Sequence, residues 1–151
     1  GADVHYVSHT NGSADGKGNS RGGFPMYYTY SKNGKKLGQI MVKYRKQIYP
    51  RTVKLVARSG LYELRVPKAV SFYEEHVFHD NMDDATWFHT HMKEIAESAA
   101  KGLCEWFGIP YVEETKPAEP ETPEQPTVTE TYTVKVTRSA DGKSGTWEIV
   151  K

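Results

Sequence analysis

The sequence predicts an α/β domain in which a mixed, mostly parallel sheet is flanked by helices, followed by a C-terminal β-hairpin. Stretches rich in β-formers alternate with amphipathic patterns of helical spacing, as in α/β folds. After Tyr111 the composition changes, and prolines recur among Glu and Thr. Alternating apolar residues then flank an Asp-Gly turn, the pattern of a hairpin. We expect a domain over residues 1–111, a Pro/Glu-rich linker over 112–127 and a hairpin over 128–151.

Composition excludes several classes of function. The 151 residues carry a net charge of +1, which gives no electrostatic reason to expect a nucleic-acid partner. No apolar run is long enough to insert into a membrane, and no signal-peptide pattern opens the chain. Cys104 is the single cysteine, so the sequence has no intrachain disulfide and no cysteine zinc cluster.

The first predicted strand covers Ala2–His9, which is rich in β-formers. Alternation places His5, Val7 and His9 on one of its faces. A glycine-rich loop over residues 12–23 follows, and it lacks the spacing of a phosphate-binding loop. We interpret this loop as mobile and solvated. Taken alone, a histidine at a strand end is more often a surface or hydrogen-bonded residue than a metal ligand.

Three elements are predicted between this loop and residue 67. Phe24–Tyr30 is a second strand, with Pro25 near its beginning, where proline is tolerated. Apolar residues recur at helical spacing over residues 33–49, and Pro50 ends this helix. We interpret its Lys and Arg residues as a solvated face. After a break at Gly60, residues 61–67 are predicted to form a short strand.

The run from residue 68 to 81 organises the candidate site. It begins like a buried strand, places Glu74 and Glu75 at the strand's far end and closes on Asp-Asn, a helix-start signal. Ligands of open α/β sheets bind outside the carboxyl ends of strands, so a carboxylate there is a candidate general base. The two glutamates face opposite sides, so one of them can face a given site. The alternative is that both lie on a solvated strand end.

The chain then predicts helical structure up to Phe107. Asn81 is the expected N-cap, and apolar residues recur at helical spacing from Met92 to Phe107. His89 and His91 lie near a break in this pattern. Two residues apart on a helix they face different directions, so we interpret them as surface residues.

Four segments resemble the zinc-dependent N-acetylmuramoyl-L-alanine amidases. Residues 2–11, Ala-Asp-Val-His-Tyr-Val-Ser-His-Thr-Asn, are similar to that family's Ala-Asp-x-x-x-Ser-x-His-x-Asn, with the serine displaced by one position. Residues 61–65, Leu-Tyr-Glu-Leu-Arg, are similar to its Leu-Tyr-x-Leu-Arg. Residues 75–81, Glu-His-Val-Phe-His-Asp-Asn, are similar to its Glu-x-Gly-Phe-x-x-Asn, with Val77 in place of glycine. Residues 93–109 resemble the family's final helix.

The resemblance implies hydrolysis of the amide between N-acetylmuramic acid and the L-alanine of the stem peptide, with Zn²⁺ as cofactor and peptidoglycan as partner. It implies that Glu75 is the catalytic residue, acting as base and acid around zinc-polarised water, and that His9 is a zinc ligand. It also implies that Asn11 and Arg65 contact substrate; for Arg65, a structural ion pair is an equal alternative. The implied location is secreted or at the cell wall, as an autolysin or a phage endolysin.

The resemblance covers only the later part of the family's domain. The family's first zinc histidine and its ligand glutamate have no counterpart here, and a catalytic zinc takes about three protein ligands. His5, His76 and His79 are further histidines that could approach the site, although no spacing requires it. Because the chain starts directly in a strand, we expect a segment of a longer protein that is not competent for hydrolysis by itself.

Two other classes of function stay open. The chain could be a peptidoglycan-binding module without a metal, or a structural piece whose spacer and hairpin contact other proteins. A linker followed by a wall-binding module is common in cell-wall lytic enzymes. A lone hairpin is marginal in water, so this one either docks on the first domain or begins such a module.

Overall fold

The computed structural model describes residues 1–113, 133–138 and 145–150. The strands are β1 (Val4–Asn11), β2 (Met26–Tyr28), β3 (Val56–Arg58), β4 (Val70–Phe78), β5 (Thr133–Arg138) and β6 (Gly145–Val150). The helices are α1 (Lys32–Ile48), α2 (Tyr62–Arg65), α3 (Met82–Thr90) and α4 (Met92–Phe107). In the part of the chain that these ranges cover, no helix is both long and apolar enough to span a bilayer.

The described residues form two sheets. The larger has the strand order β1-β4-β2-β3, in which β1 pairs parallel with β4, β2 pairs parallel with β3, and β2 runs antiparallel to β4. Helices flank this sheet, so the predicted α/β class with a mixed, mostly parallel sheet is confirmed. The other sheet is the antiparallel pair β5–β6, which confirms a C-terminal hairpin. Nearly all of the predicted linker and the hairpin turn lie outside the described residues.

Helices α1 and α4 cover one face of the large sheet. Leu37 and Met41 of α1 pack with Phe72 of β4, and residues of α4 close the cluster. Gly102 of α4 faces Met41, and an added Cβ would overlap the Met41 sulfur. A glycine at this position therefore lets the two helices approach closely.

The opposite face carries a smaller cluster, formed by Met26, Leu64 and Tyr73. Leu64 belongs to α2, so the prediction of a strand over residues 61–67 is wrong. The segment turns into a helix because its one buried side chain, Leu64, packs down onto the sheet. The edge position of the sheet is taken by Val56–Arg58, a strand that was not predicted. The predicted strand over Phe24–Tyr30 is also shorter, at Met26–Tyr28.

The glycine-rich loop over residues 12–23 is anchored to the segment that follows β4. Asp80 accepts hydrogen bonds from the Ser13 backbone N–H, at 3.0 and 3.1 Å, and from the Ser13 hydroxyl, at 3.1 Å. The Asn81 amide donates to the Gly18 carbonyl at 2.6 Å. The loop predicted to be mobile therefore has fixed points within its length.

Asp84 gives the loop another anchor. Its carboxylate is buried and accepts hydrogen bonds from the Gly22 N–H at 3.0 Å, the Phe78 N–H at 3.1 Å and the Tyr49 hydroxyl at 2.7 Å. Asn81 caps α3 by accepting from the Asp84 N–H, as predicted. The glycine-rich loop, the end of β4 and the start of α3 are thus held together at the Asp84 carboxylate.

A break between the two C-terminal helices occurs where the sequence predicted it. His91 ends α3 and precedes α4, and Gly108, with φ of 67°, ends α4 in the left-handed region. His89 is exposed, as expected. His91 is not a simple surface residue, because its ring stacks on Trp87 with centroids 4.7 Å apart.

We expect Gly18→Ala to destabilise the protein more than Gly16→Ala. Both glycines have φ of 65°, so alanine costs about 1 kcal/mol of backbone strain at either position. At Gly18 an added Cβ would also collide with the Asp80 carbonyl oxygen, whereas nothing lies within 4 Å at Gly16. Urea unfolding measures the difference. Equal losses for the two variants would contradict the close contact of the loop with Asp80.

Candidate active site

His9 and Glu75 lie side by side on adjacent parallel strands. They are register partners in the β1–β4 pair, near the carboxyl end of each strand. His9 Nδ1 is 3.2 Å from Glu75 Oε2, so an Nδ1–H donates to the carboxylate. The His9 ring also packs 5.3 Å from the ring of Tyr73. The structure thus brings together the residues to which the resemblance assigns catalysis and zinc ligation.

The two members of this pair differ in exposure. Glu75 is 8% exposed, whereas the His9 side chain is 56% exposed. A hydrogen bond to a nearly buried carboxylate is stronger than one in bulk water, since the surroundings are less polar. His9 therefore fixes the carboxylate from the open side of the site.

A cleft opens beside Glu75. Its volume of about 480 Å³ lies in the range of small-molecule and peptide sites. Besides Glu75 it is lined by Met26, Thr29, Ala57, Arg58, Ser59, Gly60 and Leu61. This lining mixes backbone, hydroxyl and apolar groups with one guanidinium, which suits a peptide-like ligand.

The structure places the other two predicted site residues differently. Asn11 ends β1 and is half-buried, and its Oδ1 accepts a hydrogen bond from the Gly12 N–H at 2.9 Å. It lies two residues beyond His9 on the same strand. Arg65 is exposed on α2 and is not among the residues that line the cleft.

The neighbouring histidines are engaged elsewhere. His5 Nδ1 lies 3.1 Å from the Glu63 carbonyl, His79 Nδ1 lies 3.2 Å from the Thr10 hydroxyl, and His76 Nε2 lies 2.9 Å from the Ser8 hydroxyl. Over the described ranges, no three His, Cys, Asp or Glu side chains are arranged to hold a metal ion. The residues present therefore do not fit a complete zinc site.

On the helix face of the sheet, directly behind the candidate site, lies a buried charged cluster. Glu74 is 4% exposed, and its Oε2 accepts a hydrogen bond from the Tyr6 hydroxyl at 2.5 Å. Glu74 Oε1 lies 4.0 Å from Arg45 Nε and 3.6 Å from His76 Nδ1. Glu74 and Glu75 thus face opposite sides of β4, as predicted. The alternative of a solvated strand end is wrong, because both are buried.

Arg45 was assigned to a solvated helix face, and the structure corrects this. It is 1% exposed, and its guanidinium lies 5.1 Å from the Trp87 ring centroid and 5.7 Å from that of Tyr49. The signal was present in the sequence, since Arg45 continues the row of Leu37 and Met41 at steps of four residues.

Burial dominates the electrostatics of this cluster. It raises the pKa of Glu74, which the Arg45 charge partly offsets, and it lowers the pKa of Arg45. It also raises the pKa of Tyr6 and lowers that of His76 to about 3, with help from the Arg45 charge. Among the residues that the structure describes, Arg45 Nε, Arg45 Nη1 and His76 Nδ1 have no hydrogen-bond partner. A buried polar atom without a hydrogen-bond partner typically costs about 1–3 kcal/mol of stability.

The fold resembles the catalytic domains of N-acetylmuramoyl-L-alanine amidases. No family model matches the sequence, and no curated protein matches it in sequence either. Among solved structures, the catalytic domain of CwlV, an amidase from Bacillus (Paenibacillus) polymyxa var. colistinus, is 21% identical with a TM-score of 0.64 over 72% of this chain and 60% of that one.

Two further solved structures are similar to this fold over a similar share of the chain. The amidase AmiC2 of Nostoc punctiforme is 17% identical, with a TM-score of 0.63 over 71% of this chain and 59% of that one. The catalytic domain of CD27L, an endolysin targeting Clostridia difficile, is 22% identical, with a TM-score of 0.57 over 74% of this chain and 58% of that one. The chain therefore has an amidase-like fold and spans about 60% of the length of the first of these domains.

We expect acid to unfold the protein through His76. Because the folded-state pKa of about 3 lies below the ordinary value of 6.5, the unfolded state binds one more proton between these limits. Stability should then fall by about 1.4 kcal/mol for each pH unit as pH drops through this window. Urea unfolding across the window should show a shallower pH dependence for His76→Gln. The matched change at exposed His89, His89→Gln, should keep the wild-type slope; if His76→Gln keeps it too, His76 is not responsible.

Proposed function

We propose that this chain carries the Glu75 side of the active site of a peptidoglycan hydrolase. The bond cleaved is the amide between N-acetylmuramic acid and the L-alanine of the stem peptide. The observation that supports this is the His9–Glu75 pair, at 3.2 Å, beside a cleft of peptide size in an amidase-like fold. Such a protein acts at the cell wall, whether secreted by a bacterium or made by a phage.

Glu75 is suited to move protons in this reaction. As a carboxylate it accepts a proton from the water that attacks the amide carbonyl, and it returns that proton to the nitrogen of L-alanine as the C–N bond breaks. His9 donates to Oε2 and leaves Oε1 for the water. In this proposal Asn11, two residues further along β1, contacts the substrate.

Zinc is the metal that the amidase resemblance implies, with His9 as its ligand. The described residues supply only His9 and Glu75 at this point, and no group of three. A catalytic zinc needs about three protein ligands, so these residues do not fit a complete zinc site. The proton transfers proposed for Glu75 stand without it.

In this proposal the domain organisation has functional meaning. Residues 1–111 form part of the catalytic domain, residues 112–127 a spacer, and residues 128–151 the start of a wall-binding module. The described hairpin strands carry exposed charges, with Lys135 Nζ 3.6 Å from Glu148. Exposed pairs of this kind add little stability, so a wall-binding role would depend on further contacts.

A second candidate function is binding of peptidoglycan without turnover. The lack of a three-ligand group in the described parts of the chain favours it. It would keep the cleft and use Glu75 and His9 for hydrogen bonds to the ligand. Binding to insoluble peptidoglycan without release of muropeptides would identify this function.

We expect Glu75→Gln to reduce amide cleavage by about 100-fold or more, the usual contribution of a general acid–base group. The measurement is the release of new L-alanine amino groups from purified peptidoglycan, with zinc added in excess. Glu94→Gln, at an exposed position of α4, is the matched control and should leave the rate unchanged. Equal rates for wild type and Glu75→Gln would overturn the role of Glu75. No cleavage by the wild type would agree with a part of the domain that is not competent by itself, and binding to peptidoglycan would then be the activity to measure.

We expect the chain to retain much less than one zinc ion after zinc loading and desalting, because the described residues bring no group of three ligands together. Metal content by mass spectrometry measures this. His9→Asn should lower the residual content, whereas His89→Asn should not. One tightly held ion per chain would contradict the prediction and would show that further ligands complete the site.

A further inference from the structure

The cleft beside Glu75 has a cationic end. Arg58, the last residue of β3, lines the same cleft as Glu75. Its backbone is fixed, because its carbonyl accepts a hydrogen bond from the Thr29 N–H at 3.0 Å. Over the described ranges its side chain forms no ion pair, and the residue is exposed. A guanidinium without a protein carboxylate is thus available to a ligand.

Strand register places Arg58 and Glu75 on one face of the sheet. Met26 of β2 pairs with both Tyr73 of β4 and Val56 of β3. Glu75 lies two residues beyond Tyr73, and Arg58 lies two residues beyond Val56. Even steps along a strand keep the same face, so both side chains point to the side of the Met26 cluster.

The same register gives the distance between them. Because β4 runs opposite to β2 and β3, Glu75 and Arg58 lie four residues apart along the strand direction and two strand spacings apart across it. Rises of about 3.3 Å and spacings of about 4.8 Å put their Cα atoms roughly 16 Å apart. An extended peptide of about four residues covers this span once both side chains reach inward.

The lining between the two ends suits a peptide. Leu61 and Met26 offer apolar contact, while Thr29 and Ser59 offer hydroxyl groups. A peptide whose first amide bond lies at Glu75 would place its far end at Arg58. Arginine binds a carboxylate through two parallel hydrogen bonds, which gives both affinity and direction.

We propose that Arg58 binds the free carboxylate at the far end of the stem peptide and so sets the direction of the substrate in the cleft. This rests on the proposed function of Glu75 in cleaving the first amide of that peptide. Arg58 takes the role of substrate contact that the resemblance implied for Arg65, which lies on α2 and not among the lining residues. The cleft would thus select stem peptides that end in an uncapped carboxylate.

The test is binding of a muramoyl tetrapeptide with a free C-terminal carboxylate, compared with the same molecule as its C-terminal amide. Binding is measured by isothermal titration calorimetry. Every measurement uses the full chain carrying Glu75→Gln, because this substitution prevents turnover. The free acid should bind at least about tenfold more tightly than the amide. Adding Arg58→Gln should remove this preference. Arg58→Lys should keep part of it, because lysine supplies the positive charge but cannot form the two parallel hydrogen bonds of arginine.

Arg65→Gln is the matched control, since it removes the same charge from an exposed residue that does not line the cleft. It should keep the preference for the free acid. If the preference survives in an Arg58→Gln variant with a wild-type circular dichroism spectrum, the inference about Arg58 is overturned, while the proposed function of Glu75 stands. A chain that binds neither muramoyl peptide in any form overturns the proposed function and this inference with it.

Discussion

The parallel pairing of β1 with β4 is the constraint on which the site depends. It sets His9 opposite Glu75, and the alternation of β4 then sends Glu75 to the cleft and Glu74 to the helices. Because side chains alternate with a period of two, a slip of one residue would exchange the two glutamates. The register therefore determines which glutamate reaches the cleft.

The cluster behind the sheet opposes such a slip. Arg45 is almost fully buried and has Glu74 as its nearest carboxylate, at 4.0 Å. Leaving a buried charge without its partner costs roughly 3–5 kcal/mol, a large share of a domain's total stability. A pair that adds little net stability can thus still decide which arrangement of the strands is populated. The open site and the buried cluster lie on opposite faces of β4.

Most of the larger elements were predictable from the sequence, since β1, β4, α1 and α4 carry clear periodic patterns and Asn81 is a strong helix cap. The resemblance pointed to His9 and Glu75, which the structure brings into contact. The elements and site residues that were not predicted correctly are those that depend on tertiary contacts. The Tyr62–Arg65 segment is too short for periodicity to decide, and its helix follows from the burial of Leu64. Arg58 could not be found either, because its strand has three residues and its place in the cleft follows from pairing across the sheet.

The shared anchor at Asp84 has a consequence for motion. The amide protons of Gly22, in the glycine-rich loop, and of Phe78, at the end of β4, are held by the same carboxylate oxygen. An opening that withdraws this oxygen exposes both amides to solvent together, although they are 56 residues apart in sequence (78 minus 22). We therefore expect their hydrogen exchange to be coupled, with the loop and the strand that carries Glu75 opening as a single cooperative unit of local unfolding.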